Sequence, residues 1–157
     1  MVDEVDRVIG QATRQEIHRR HLLHRSAHIL VFNSNNEIFI QKRSMVKDES
    51  PGLWDTSSAG HVDSGEDYEE CAHRELWEEL GVKGVLIYFA RISACRETHQ
   101  EHVQIFTCKT DKEITINQNE ISEGRFCSLN SLEREIQFHP EQFTSSFKLI
   151  MSLFVKH

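Results

Sequence analysis

Apolar and polar positions along the chain divide it into short periodic segments separated by turn-forming residues. Residues 26–32 and 37–42 are apolar runs on either side of Asn33-Ser34-Asn35-Asn36. That pattern predicts two strands joined as a hairpin. Upstream, residues 11–23 are rich in Arg and His and predict a short polar helix, within an N-terminal extension of about residues 1–23. A loop over 43–53 ends in Pro51-Gly52, and Trp54 opens a short extended piece leading to Gly60. Asp63-Ser64-Gly65-Glu66 reads as a helix start, because Asp and Ser side chains cap free backbone N–H groups. The helix is expected to reach Leu80 and stop at Gly81, where a left-handed residue commonly ends a helix. Strands follow over 82–93, 102–108 and 120–128, then helices over 131–136 and 141–154. The last helix carries Phe143, Phe147, Ile150, Met151 and Phe154 on one face. This order predicts an α/β fold in which helices sandwich a mixed sheet, built as one domain over 1–157.

Composition narrows the function classes. The chain has 157 residues, 38% hydrophobic and 27% charged, which suits one globular domain with a real core. Its longest clean apolar run, residues 85–90, is far below the ~20 residues that span a bilayer. The acidic start Met1-Val2-Asp3-Glu4-Val5-Asp6 lacks a secretory pattern, so the expected location is cytoplasmic. A net charge of −7 argues against nucleic acid as a partner, since phosphate backbones need a basic face. An acidic protein that takes a phosphate substrate needs a bridging cation. Cys71, Cys95, Cys108 and Cys127 show no CxxC spacing, and free buried thiols are expected rather than a zinc site or disulfide framework.

The segment from Gly60 to Val82 carries the most chemistry. At ~100° per residue, Glu75, Glu78 and Glu79 share an arc of about 100° on the helix. Tyr68, Ala72, Leu76 and Leu80 occupy an adjoining arc that can pack on a sheet, so the glutamates sit at its edge. Like charges at i, i+4, here Glu75 and Glu79, repel each other, and burial strengthens the repulsion until a proton or cation offsets it. Mg²⁺ is suited to that role because it prefers hard oxygen ligands and bridges carboxylates to phosphates.

Gly60, Glu66, Arg74, Glu75, Leu76, Glu78, Glu79, Gly81 and Val82 satisfy the spacing G-x5-E-x7-R-E-Φ-x-E-E-x-G-Φ at every position. The chance of such a match at one start point is on the order of 10⁻⁹. The segment resembles the signature box of the Nudix hydrolase superfamily over residues 60–82, and the flanking elements are similar to that family's α/β/α sandwich. The resemblance implies that Glu75, Glu78 and Glu79 bind Mg²⁺ or Mn²⁺, with the carbonyl of Ala59 or Gly60 completing the set. It also implies that Arg74 pairs with glutamates such as Glu66 and Glu78, giving Arg74 and Glu66 positioning roles. The implied reaction is substitution at phosphorus in a small diphosphate substrate, with Glu75 as first choice of general base and Glu101 as second. Gln41, Lys42, Arg43 and Lys47 are candidates to hold the diphosphate, and Trp54 and His61 to contact the rest of the substrate. Members of the family are frequently dimers, so a homodimer is an expected assembly.

Outside the box, His24-Arg25-Ser26-Ala27, Gln41-Lys42-Arg43-Ser44, Lys47, Pro51-Gly52-Leu53-Trp54 and Gly60-His61 resemble type 1 isopentenyl-diphosphate isomerase, which shares the Nudix fold. His24, His61 and Glu101 match three of its metal ligands, so Glu101 joins the candidate ligands. Two departures count against that activity. Ala59 stands where the isomerase has its catalytic cysteine, and His99 stands in place of a second glutamate. A third reading, a ligand sensor without catalysis, usually goes with loss of box glutamates, and all are present here.

Overall fold

The computed structural model describes residues 1–47 and 49–155. Residue 48, inside the expected 43–53 loop, and residues 156–157, at the end of the expected 1–157 unit, lie outside it. A short helix α1 (Arg14–Arg20) precedes strands β1 (His24–Phe32), β2 (Ile38–Arg43), β3 (Trp54–Asp55) and β4 (Ser58–His61). Helix α2 (Tyr68–Leu80) follows, then β5 (Ile87–Ile92), β6 (Glu101–Lys109) and β7 (Ile121–Cys127). Helices α3 (Leu129–Phe138) and α4 (Ser145–Val155) flank a 3-10 turn at Pro140–Gln142.

The sheet is mixed, in the order β3-β2-β1-β6-β5, with β4 added to β1 and β7 to β2. β1 runs parallel to β6 from His24↔Glu101 to Phe32↔Lys109, and its other pairings are antiparallel. Alternation along the strands sends side chains to two cores. Ala27, Ile29, Val31 and Phe39 face α2, where they meet Ala72, Leu76 and Leu80. Leu30, Ile38 and Ile40 face α3 and α4, against Leu132, Phe147 and Ile150. Each such buried aliphatic side chain is worth about 2 kcal/mol in transfer free energy, and this double-sided packing holds α2 on the sheet.

The edges of several elements differ from the sequence expectation, for local reasons. α1 spans less than 11–23 because Thr13 caps it at one end, and His21 turns left-handed (φ 52°) at the other. α2 begins at Tyr68, where Asp67 and Glu70 form a reciprocal capping box, so Glu66 lies before the helix. The expected 82–93 strand forms only over Ile87–Ile92. β6 ends two residues beyond the Ile87↔Thr107 pair, so residues 82–84 have no strand beside them. The expected 141–154 helix is broken at Phe143 and Thr144. Phe143 bridges to Trp54, and Thr144 donates its hydroxyl to Asp55 (3.2 Å) while accepting from the N–H of Phe147 (3.1 Å).

One irregularity creates the site. β1 registers with β2 at Phe32↔Ile38, but over Ser26–Ile29 its neighbour is β4. β2 continues instead beside β3 and β7. A cavity occupies the place where these strand pairs diverge, and α2 contributes to its wall.

Candidate active site

Two glutamates of α2 enter the cavity. Glu79 is 4% exposed, and one of its oxygens accepts from Ser58 Oγ (2.7 Å), the Ala59 N–H (2.9 Å) and Gln41 Nε2 (3.4 Å). Glu75 lies one turn earlier on the same face and is nearly buried. β4 passes so close that a methyl group at Gly60 would fall 2.6 Å from Glu75 Cγ and overlap the carboxylate itself. Glycine is therefore required by close approach at this point.

The third member of the group is Glu120, just before β7. One oxygen from each of Glu75, Glu79 and Glu120 lies within 4.8 Å of the others, a spread that one cation can bridge. Backbone pairing explains the meeting: Thr115 N–H donates to the Leu80 carbonyl and Asn117 N–H to that of Glu79, both 2.9 Å. The segment is thereby pinned along the end of α2, and the turn at Asn117 places Glu120 beside Glu79. Sequence reasoning missed Glu120. An acid following Asn117-Gln118-Asn119 at a strand start was the only available signal, and it is a weak one.

Glu78 is placed elsewhere. It follows Glu75 by about −60° around the helix, whereas Glu79 follows by about +40°, and its half-exposed side chain rests on Arg74 (3.2 Å) outside the Glu75–Glu79–Glu120 group. Arg74 is the hub of this flank. Its guanidinium holds Glu66 through two bonds (2.8 and 3.0 Å), Glu75 (2.7 Å), and the carbonyl of His61 (3.0 Å). Asp63 stands 3.4 Å away.

The electrostatics follow from burial. Desolvation pushes the Glu75 carboxyl up to about 7, against the pull of Arg74. Desolvation and the Glu75 charge push Glu79 up to about 8. In the unfolded chain both would lose their protons near the ordinary carboxylate value of 4.5. The folded protein therefore retains protons that the unfolded chain has released, and loses stability as rising pH removes them. Glu79→Gln removes one of these titrations. With EDTA present, the melting temperature of wild type relative to that variant is expected to fall progressively from pH 5 to pH 8. A pH-independent difference would show that Glu79 ionises freely in the fold.

Glu101 lies in a different constellation. Its carboxylate shares hydrogen bonds with His24 Nε2 (3.2 Å) and His61 Nε2 (3.0 Å). Burial alone would raise its pKa, yet those two histidines hold it well below the ordinary range. His18 completes a group with His24 and His61, their ring centroids 4.7 to 5.9 Å apart, and nitrogens of the three could share a cation. His18 Nδ1 meets Glu49 (3.0 Å), whereas its buried Nε2 has no partner among the described residues.

The expected substrate contacts divide. Arg43, Lys47 and His61 line the cavity, as does Arg14, which the sequence did not single out. Gln41 supports Glu79 from behind, its amide also donating to the Ser57 carbonyl (3.1 Å). Strand alternation turns Lys42 to the opposite face of β2, away from the cavity lining. Trp54 also departs from expectation: it packs in the α3–α4 core with the Arg125 guanidinium 5.0 Å from its ring centroid, and no part of it reaches the cavity.

Comparison with known proteins gives a consistent picture. The family model for the NUDIX domain matches residues 22–147. The chain is 36% identical over 158 aligned residues to isopentenyl-diphosphate Delta-isomerase 2 of Photorhabdus laumondii, covering 97% of this chain and 89% of that protein. It is 38% identical over 126 residues to an uncharacterised Nudix hydrolase of Pseudomonas aeruginosa, covering 80% and 75%. The crystal structure of DR0079 from Deinococcus radiodurans superposes with a TM-score of 0.77 at 30% identity, covering 88% and 87%. The NUDIX domain of Shewanella oneidensis NrtR, solved with ADP ribose, shares the fold at a TM-score of 0.70 and 12% identity, covering 92% and 98%.

Proposed function

Since the chain belongs to the Nudix hydrolase family, we propose that it hydrolyses a diphosphate linkage in a small molecule, using a divalent cation held by Glu75, Glu79 and Glu120. The observation that carries this reading is the convergence of those three carboxylates in a cavity also lined by Arg14, Arg43 and Lys47. The donor set fits Mg²⁺ or Mn²⁺: all oxygen, two members desolvated, and too much negative charge at neutral pH without a cation. The carbonyls of Ala59 and Gly60, on the adjoining strand, and Glu78, paired with Arg74, are further candidate ligands.

When bound, such a cation neutralises diphosphate oxygens and lowers the pKa of a water molecule. The chain's own residues do the rest. Glu75, which lines the cavity beside Glu79, accepts the attacking water's proton. Glu101 suits that role less well, because two histidines already stabilise its ionised form. Arg74 and Glu66 orient Glu75, while Ser58, Gln41 and the Ala59 N–H orient Glu79. Arg14, Arg43 and Lys47 draw the diphosphate in and counter its charge.

The grouping of His18, His24 and His61 around Glu101 favours a second reading, isomerisation of an isopentenyl-type diphosphate, and relatives carry that name. Against it, Ala59 offers no thiol. A diphosphate panel with Mg²⁺, followed by phosphorus NMR, separates the two. Release of phosphate or a phosphomonoester is expected, together with a Tm rise of several degrees in millimolar Mg²⁺. Conversion of isopentenyl to dimethylallyl diphosphate without hydrolysis would replace the hydrolase reading. Among the described residues no helix is long and apolar enough to cross a membrane, and a cytoplasmic location accords with free thiols at all four cysteines.

A further inference from the structure

Resting on that hydrolase reading, we propose that the group attached to the diphosphate is a small polyhydroxylated one, a sugar or polyol without nucleobase or isoprenoid chain, and that Ser26 binds one of its hydroxyls. The cavity is small, about 290 Å³, at the low end for small-molecule sites. Among the described residues its lining includes no Phe, Tyr, Trp, Leu, Ile, Val or Met. A nucleobase is normally gripped by an aromatic or broad apolar face. An isoprenoid chain needs apolar walls to leave water. The lining offers no broad apolar face, and its rings are the imidazoles of His28, His61 and His99. Two of them are already hydrogen-bonded, to Thr56 and Glu101, while the ring best placed in sequence, Trp54, is committed to the α3–α4 core.

The floor of the cavity carries hydrogen-bonding groups instead. Alternation along β1 turns Ala27 and Ile29 toward α2 and leaves Ser26 and His28 on the cavity side. His28 Nδ1 is matched to Thr56 Oγ1 (2.8 Å). Ser26 is 2% exposed, and its Oγ has no hydrogen-bond partner among the described residues. Buried hydroxyls are almost always paired, and an orphan in a binding cavity is the kind of group that a ligand satisfies. Thr144 and Ser146 also line the wall, but their hydroxyls are engaged within the protein, with Asp55 and the Glu97 carbonyl, so of these three Ser26 has the hydroxyl left for a ligand. A site built to pair with a substrate hydroxyl rejects an analogue lacking it far more strongly than an apolar pocket rejects a wrong shape.

The test is kcat/KM of the full chain in Mg²⁺ for 5-phosphoribosyl 1-diphosphate, ADP and isopentenyl diphosphate, with calorimetric Kd values for the same three compounds. The sugar diphosphate is expected to lead both others by about 100-fold or more. Ser26→Ala is expected to shrink the sugar-to-isopentenyl ratio at least tenfold, without lowering Tm, since no hydrogen bond within the protein is lost. Preference for ADP or isopentenyl diphosphate, or an unchanged ratio in the variant, overturns the proposal and leaves the hydrolase reading intact. Tight, Ser26-dependent binding of the sugar diphosphate with no turnover of any compound upholds the ligand assignment and removes the hydrolase reading.

Discussion

Glu79→Gln is expected to lower kcat/KM for a diphosphate substrate by on the order of 10³, about 4 kcal/mol of transition-state stabilisation, while leaving the fold more stable than wild type in EDTA at pH 8. Both effects come from the same atoms. Glutamine preserves the acceptor oxygen that Ser58, Ala59 and Gln41 address, so packing and hydrogen bonding survive. It removes the one buried charge that burial and Glu75 most oppose. Paired activity and melting measurements check the prediction. A variant that is inactive because it is unfolded would contradict it, as would one that retains near-normal turnover.

Gly60→Ala is the second large effect. The added methyl would overlap the Glu75 carboxylate and press on Cγ, so rotation of the tip alone gives no relief. Either Glu75 leaves the cavity or β4 moves away from α2, and overpacking of this kind costs about 1–3 kcal/mol. For a chain of this length that is a Tm loss of roughly 3–10 °C. Activity should fall by about 100-fold, with a higher Mg²⁺ concentration needed for half-maximal rate, because a misplacement of ~1 Å is enough for such a loss. Unaltered Mg²⁺ dependence in a folded Gly60→Ala protein would falsify the close-approach account.

The sequence was most readable where function depends on local geometry. Gly60, Arg74, Glu75 and Glu79 lie within one strand and one helix, and helical spacing alone predicts that Glu75 and Glu79 share a face. An arc of about 100° is wide enough to include the solvent flank, and Glu78 sits there, paired with Arg74. What escaped was set by tertiary pairing. Glu120 reaches the site through backbone hydrogen bonds to the end of α2, and the Ser26 hydroxyl stands out as unpartnered among the described residues once β1, β4 and β6 assemble. Trp54 and Lys42 show the converse: residue types suited to ligand contact were turned into or across the sheet by alternation that begins at a boundary no composition rule locates.

The division of the cavity wall has a consequence for how such a protein changes over time. Glu75 and Glu79 ride on a helix anchored by Ala72, Leu76 and Leu80, whereas Lys47, His99 and Thr144 come from three separate connections. Exchanging those connections, by recombination or in a designed library, would present new chemical partners to an unaltered reaction centre. Selectivity in this scaffold is thus free to drift while the capacity to cut an anhydride is inherited intact.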